Sequence, residues 1–324
     1  MKGNITKFIL SGVVFFIIFM MLDHCIGWGM KRFEDVALNK NPSGDALRTR
    51  FVCDKVNDQV LVIGSSRATH HYIPKQMEEK LKRSVFDCGM DGCYFLYQTA
   101  VIDCILNRYS PELIIWDEVS PNVFDGGIKD ADNLTRLSKL NSYYDINQYV
   151  NNLIQLKSKF EKYKMYSKLY RYNSCLFNYG SAFLRSKGTL ERKGYLPLYG
   201  IDKTLQQPKQ RYIEDICYQE NVELFKHVLE LCSKKKVPLV ISFSPCFTDD
   251  NALKTLQCKK LLEIAREFNV PVIDFYHHPD FMSDSNLFWD TGHLNDEGAK
   301  LFTERFCDEL ERRGILESSR KNTL

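Results

Sequence analysis

The chain has 324 residues, of which 44% are hydrophobic and 26% charged, and its formal net charge is +3. That length accommodates one large domain or two modest ones, and the balance of residue types is that of an ordinary globular protein, which excludes wholesale disorder. A charge so close to neutrality, with no basic helix and no zinc-finger spacing, argues against nucleic acid as a partner.

The first element is an apolar run over residues 8–22 within KFILSGVVFFIIFMMLDHCIGWGM, ended by Asp23 and His24. It is shorter than the ~20 residues a spanning helix wants, and residues 25–30 can extend it. Lys2 and Lys7 precede it as in the basic leader of an export signal, but no small-residue cleavage pattern follows. Residues 1–30 are therefore predicted to form an uncleaved single-pass anchor, with the N-terminus cytoplasmic and the rest of the chain, residues 31–324, outside. Lys31 and Arg32 at the far end reduce the charge asymmetry behind that orientation.

Residues 33–57 read as a polar connector with NKNPSG as its turn. Strand-like runs then alternate with helical patterns. Strands are predicted at 60–63, 84–89, 111–117, 237–245 and 270–275. Helices are predicted at 74–82, where Pro74 opens the first turn, and at 95–107, 221–235, 253–268 and 298–312. Such alternation predicts an α/β fold, a three-layer sandwich around a central parallel sheet of about five strands. The unbroken apolar runs ELIIW and PLVIS suit strands covered on both faces.

Residues 125–215 interrupt the pattern. They hold no convincing buried strand, and the stretch is dense in tyrosine and lysine with a helical period. Between residues 151 and 215 there are 13 Lys and Arg against 5 Asp and Glu. Two readings apply: a helical insertion whose tyrosines pack on the main domain, or a platform facing an anionic or carbohydrate surface. The eleven cysteines are scattered, with no CxxC and no Cys/His spacing for zinc. No metal or organic cofactor is called for.

In an open α/β sheet, function gathers beyond the carboxyl ends of the strands. Standing there are Ser65, Ser66 and Arg67 after the first strand, and Gly89 and Asp91 after the second. Asp117, Glu118, Ser120 and Asn122 follow the third, and Ser244 and Cys246 the fourth. After the fifth comes a long loop with Asp290, His293 and Asn295. Asp290 and His293 are close enough in sequence for a tight turn to set the carboxylate beside the imidazole, where it would fix the tautomer and stabilise an imidazolium. Asn295 or Asp296 can cap the helix that follows.

VLVIGSSRA near the start and DTGHLNDEGAKLF near the end resemble the first and last signature blocks of the SGNH/GDSL hydrolase superfamily. The likeness is to its membrane-anchored branch, in which Gly-Ser-Ser replaces Gly-Asp-Ser, as in D-alanyl transfer and alginate O-acetylation proteins. The resemblance implies a flavodoxin-like fold, with Ser66 as nucleophile, His293 as its base and Asp290 as the orienting carboxylate. It also implies an oxyanion hole to which Gly89, within CGMDG, contributes a backbone N–H. The third block departs from the family's Gly-x-Asn-Asp, since this chain has WDEVSPNVF; its asparagine role falls to Asn122, or the hole is built differently. Acyl transfer to water or to a sugar hydroxyl is then expected, on an acylated carbohydrate or small ester of the cell envelope, with a membrane acyltransferase as a candidate partner. Two other classes stay open: a catalytically silent subunit of an envelope polysaccharide machine, and metal-assisted phosphoester hydrolysis by Asp290, His293 and neighbouring polar groups.

Overall fold

The computed structural model describes residues 2–42, 44–118, 124, 131–172, 175–184, 188–201, 203–205 and 207–316. In chain order the helices before the sheet are α1 (Lys2–Lys40) and α2 (Asp45–Asp54). Next come β1 (Val60–Gly64), α3 (Ser66–His71), α4 (Pro74–Leu81), β2 (Val85–Asp87), α5 (Phe95–Arg108) and β3 (Leu113–Asp117). The middle of the chain is helical: α6 (Ala131–Arg136), α7 (Gln148–Gln155), α8 (Glu161–Lys164), α9 (Lys168–Tyr172), α10 (Leu176–Ser181) and α11 (Gly188–Glu191). Then follow β4 (Lys209–Gln210), α12 (Gln219–Lys235), β5 (Leu239–Phe243), β6 (Thr248–Asp249), α13 (Leu256–Glu267), β7 (Val272–Asp274), α14 (Pro279–Met282) and α15 (Asp296–Arg312). The chain forms two compact units: residues 1–51 with 137–186, and residues 52–136 with 187–324.

The second unit is built on five parallel strands in the order β2-β1-β3-β5-β7. Val60 pairs with Val85, Gly64 with Asp117, Asp117 with Ser242 and Phe243 with Asp274, so the strands end nearly level. Every residue of β1, β3 and β5 is buried, which requires cover on both faces. Side-chain alternation along a strand divides that cover. Val60, Val62, Leu113, Ile115, Val240 and Ile273 face one core, joined by Tyr72 just after α3, Met77 of α4 and Phe302 and Phe306 of α15. On the other face, the Trp116 ring lies parallel to Phe95 of α5 at 5.8 Å and 5.4 Å from Phe225 of α12. Its indole N–H donates to Gln98 at 2.7 Å, so a large aromatic is buried with its polar atom satisfied. The three-layer α/β sandwich expected from the sequence is therefore present. The strand order also puts β2 and β3 on opposite sides of β1, creating the topological switch at which such sheets bind ligands.

The first unit corrects the reading of residues 33–57 as a polar connector. α1 runs unbroken to Lys40, and α2 begins at Asp45. Ala37 and Leu38 of α1 share a small core with Ala46 and Leu47 of α2 and with Tyr172, Tyr179 and Ala182. The charges that made the segment look like a linker pair with one another: Arg50 bridges Glu34, and Lys31 donates to Asp35 at 3.1 Å. Tyr179 donates to Glu34 at 2.8 Å. The helix is held by tertiary contacts, which a hydropathy pattern does not register. Residues 4–40 form a helix long and apolar enough to cross a membrane.

Candidate active site

β1 ends at Gly64, where the backbone leaves no room for a side chain. A Cβ would stand 2.7 Å from both the Ala68 Cβ and the Asp117 carbonyl. The chain turns at Ser65 (φ −98°, ψ −140°) and enters α3 at Ser66. Ser65 is in the N-cap position but makes no capping bond; its hydroxyl is buried without a partner among the described residues. A plain helix-capping role for Ser65 is thereby removed. Ser66, one residue on, is only half-buried.

The loop after β7 is shaped to meet it. Asp290 Oδ1 accepts from the backbone N–H of Gly292 at 2.7 Å and of His293 at 2.8 Å, which folds the loop into a tight turn. Trp289 donates its N–H to the His293 carbonyl at 2.9 Å, and Phe288 bridges Leu294. Asn295 caps α15 by accepting from Gly298, and its amide donates to the Asn286 carbonyl at 2.7 Å. Held in this way, His293 places Nδ1 2.9 Å from both Asp290 oxygens and Nε2 2.7 Å from Ser66 Oγ. An ionised carboxylate only accepts, so Nδ1 carries the proton and Nε2 is free to accept from the serine hydroxyl. Burial works against the Asp290 charge, yet His293 and the two backbone amides outweigh it and hold its pKa below the ordinary 3.8. Asp290 therefore stays an anion at neutral pH.

Two further histidines adjoin this row. His71 is fully buried, and its Nε2 accepts the Leu294 N–H at 3.0 Å. Burial first, then the charges of Arg67 and His293, keep its pKa well below 6.5. It is a neutral strut between α3 and the histidine loop. The His70 ring meets His293 edge-on at 5.6 Å, with Nδ1 2.6 Å from the Leu196 carbonyl and Nε2 3.4 Å from Asp91. Burial opposes its charge, but Asp91 and the carbonyl prevail and raise its pKa.

Beneath Ser66 lies a polar floor that sequence reasoning placed at the strand ends without assigning it a role. Arg67 is buried and donates to the carbonyls of Ser244 at 3.1 Å and Glu118 at 2.9 Å. Its guanidinium stands 5.5 Å over the Tyr276 ring. Tyr72 donates to Asp117 at 2.9 Å, and Ser244 bonds the same carboxylate through its hydroxyl at 3.0 Å. Burial pushes Asp117 up to about 6, with Arg67, Tyr72 and Ser244 resisting. Burial and the Asp117 charge raise Glu118 well above its usual value, offset in part by Arg67. The floor ties the ends of β1, β3 and β5 together under α3. The one available sequence signal was a basic residue directly after an apolar strand.

The oxyanion assignments fare differently. Gly89 does stand against α3, where a Cβ would meet the Thr69 nitrogen at 2.7 Å and the Ala68 Cβ at 2.8 Å. Its N–H, however, donates to the Asp87 carboxylate at 2.7 Å. Asp87 folds back at the end of β2 and accepts from the amide expected to serve the oxyanion hole, and the glycine lets α3 approach β2 closely. Asn122 lies outside the described residues. The first amides of a helix, Ser66 among them in α3, have no acceptor within their own helix. Among the described residues no group of three His, Cys, Asp or Glu could hold a metal ion; Asp290 and His293 converge on a serine.

No family model matches the sequence, and no curated protein matches it. Solved structures do. A protein from Desulfitobacterium hafniense DCB-2 assigned to the G-D-S-L lipolytic family aligns over 77% of this chain and 98% of its own, at 10% identity and a TM-score of 0.41. A protein from Bacteroides fragilis NCTC 9343 named as an acylhydrolase aligns over 79% and 89%, at 11% identity and a TM-score of 0.35. At these scores the likeness carries no argument about activity, which rests on the side chains themselves.

Proposed function

We propose that this protein is a serine-dependent acyl hydrolase or acyl transferase held at a membrane by α1. One observation carries the reading: the continuous row from Ser66 Oγ through His293 to Asp290, standing at the switch point of the sheet. In the proposed reaction His293 Nε2 takes the Ser66 proton as Oγ attacks an ester carbonyl. Asp290 holds the ring and stabilises the imidazolium. His293 then returns the proton to the leaving alcohol, and an acyl-serine remains. Water releases the acid, or a sugar hydroxyl accepts the acyl group. The Ser66 amide is available to the developing oxyanion. The Gly89 amide would join it only after leaving Asp87, a rearrangement that substrate binding would have to drive. The anchor and the family resemblance favour an O-acyl, most simply O-acetyl, group on a cell-envelope polysaccharide.

A second reading, a silent subunit that keeps the fold without turnover, is favoured by the occupied Gly89 amide. A fluorophosphonate probe separates the two, because it needs an activated serine but no natural substrate. Covalent labelling confined to the peptide containing Ser66 is expected. Intact, folded protein that takes up no probe would leave the silent subunit standing.

A further inference from the structure

The structure assigns a lipid-facing surface to the helical insertion: we infer that residues 160–169 rest in the headgroup layer of the same bilayer that α1 crosses. The inference rests on the reading of α1 as a membrane-spanning helix. Asp23 is the first charged residue after the apolar run, and it is buried. Its carboxylate accepts from the Ser167 hydroxyl at 2.6 Å, the Lys168 N–H at 2.7 Å and the Leu169 N–H at 3.1 Å. A carboxylate satisfying the first amides of a helix is a strong local tie. It fixes the start of α9 to the point on α1 where the apolar run ends, within one helical turn of Leu22 at 1.5 Å per residue. Gly27, four residues further on, faces Lys168 with no space for a side chain.

That depth is where a bilayer changes from hydrocarbon to headgroups, and the insertion presents fitting chemistry there. Phe160, Tyr163, Tyr166 and Leu169 recur at every third position and are 69%, 61%, 65% and 47% exposed. Glu161 and Met165 between them, and Arg171 and Tyr172 just beyond, turn inward and are buried. Tyr170 donates to Glu161 at 2.8 Å, and the Arg171 guanidinium bonds Asp145, so the inner face has its own polar partners. Outward-pointing aromatics on a segment with a satisfied inner face stand largely uncovered among the described residues of the unit. Tyrosine favours the interface because its ring is apolar and its hydroxyl wet. Lys159 and Lys162 are exposed beside the stripe, and lysines so placed can extend their ammonium groups towards lipid phosphates; Lys164 is turned to Glu161 at 3.3 Å. Continuity with the apolar run selects the bilayer as occupant over a second protein.

The test uses the full chain in nanodiscs of phosphatidylcholine and phosphatidylglycerol, doped with a phosphatidylcholine carrying a diazirine near the glycerol end of one acyl chain. After photolysis, lipid adducts are mapped by peptide mass spectrometry. Adducts are expected both on residues 8–22 and on residues 160–169. Combined Phe160→Ser, Tyr163→Ser and Tyr166→Ser substitution should remove the second set and leave the first, with fluorophosphonate labelling unchanged as a check on folding. Adducts on 8–22 with none on 160–169 would overturn the inference while leaving the anchor intact. No adducts on 8–22 would remove the anchor on which it depends. Cross-links from 160–169 to a second copy in place of lipid would overturn it as well.

Discussion

At the scale of single residues, the arrangement makes Ser66, His293 and Asp290 interdependent. Ser66→Ala and His293→Ala should each reduce hydrolysis of a nitrophenyl ester by about 10³-fold or more, and the double variant should be little worse than either, since members of such a row act as a unit. Asp290→Asn should also fall steeply, because an amide can present a donor to Nδ1 and turn the ring to the wrong tautomer. Ser65→Ala should be close to wild type: its buried hydroxyl contacts neither His293 nor any described partner. Steady-state kinetics on folded variants would check this, and equal losses at Ser65 and Ser66 would contradict the assignment. These residues were legible in the sequence because each lies in a short motif where local geometry and chemistry coincide. The Gly89 amide was not. Its acceptor, the Asp87 carboxylate, depends on a side-chain rotamer that no spacing specifies.

At the scale of elements, the ten predicted strands and helices of the α/β core all appear, with boundaries within a few residues. Their apolar runs are long and their turn residues clear. The short α3 was missed, since SRATHH has neither the length nor the periodicity of a helix and exists because β1 and α15 cover it. The error over residues 33–57 has the same origin, as α1 and α2 pack on Tyr172, Cys175, Tyr179 and Ala182. A test at this scale is truncation. Starting the chain at Met20 retains Asp23 and its bonds to the start of α9, whereas starting at Lys31 removes them. Trypsin should then cut within residues 157–171 roughly fivefold faster or more in the shorter chain, the factor that corresponds to losing a cap of about 1 kcal/mol. Equal cleavage rates would show that residues 20–30 contribute nothing to the first unit.

At the scale of the whole molecule, the polar floor stores a pH dependence opposite in sign to ordinary acid denaturation. The pKa of Asp117 rises from 3.8 in the unfolded chain to about 6 in the folded one. Between those values the native state binds more protons than the unfolded state, so this group's contribution to stability falls as pH rises from about 4 to about 6 and is level above. The difference in unfolding free energy between wild type and Asp117→Asn, followed by urea titration, should decline over that window. A difference that is flat or rising would mean that Arg67 and Tyr72 hold the carboxylate ionised.

Fold class, the strands themselves and the residues that meet at the candidate site follow from apolar period, turn chemistry and two short motifs, all of them local properties of the chain. Tertiary structure alone decided which groups those residues would face. His70 and His71 are neighbours, yet one is pushed towards its charged form by Asp91 and the other is kept neutral by burial. Arg67 acquires its role only when β3 and β5 bring the Glu118 and Ser244 carbonyls to it, and Asp23 acquires its role only when residues 167–169 return to α1. Each of these depends on partners 20 or more positions away, and such pairings are settled by packing rather than by any pattern within the reach of one turn.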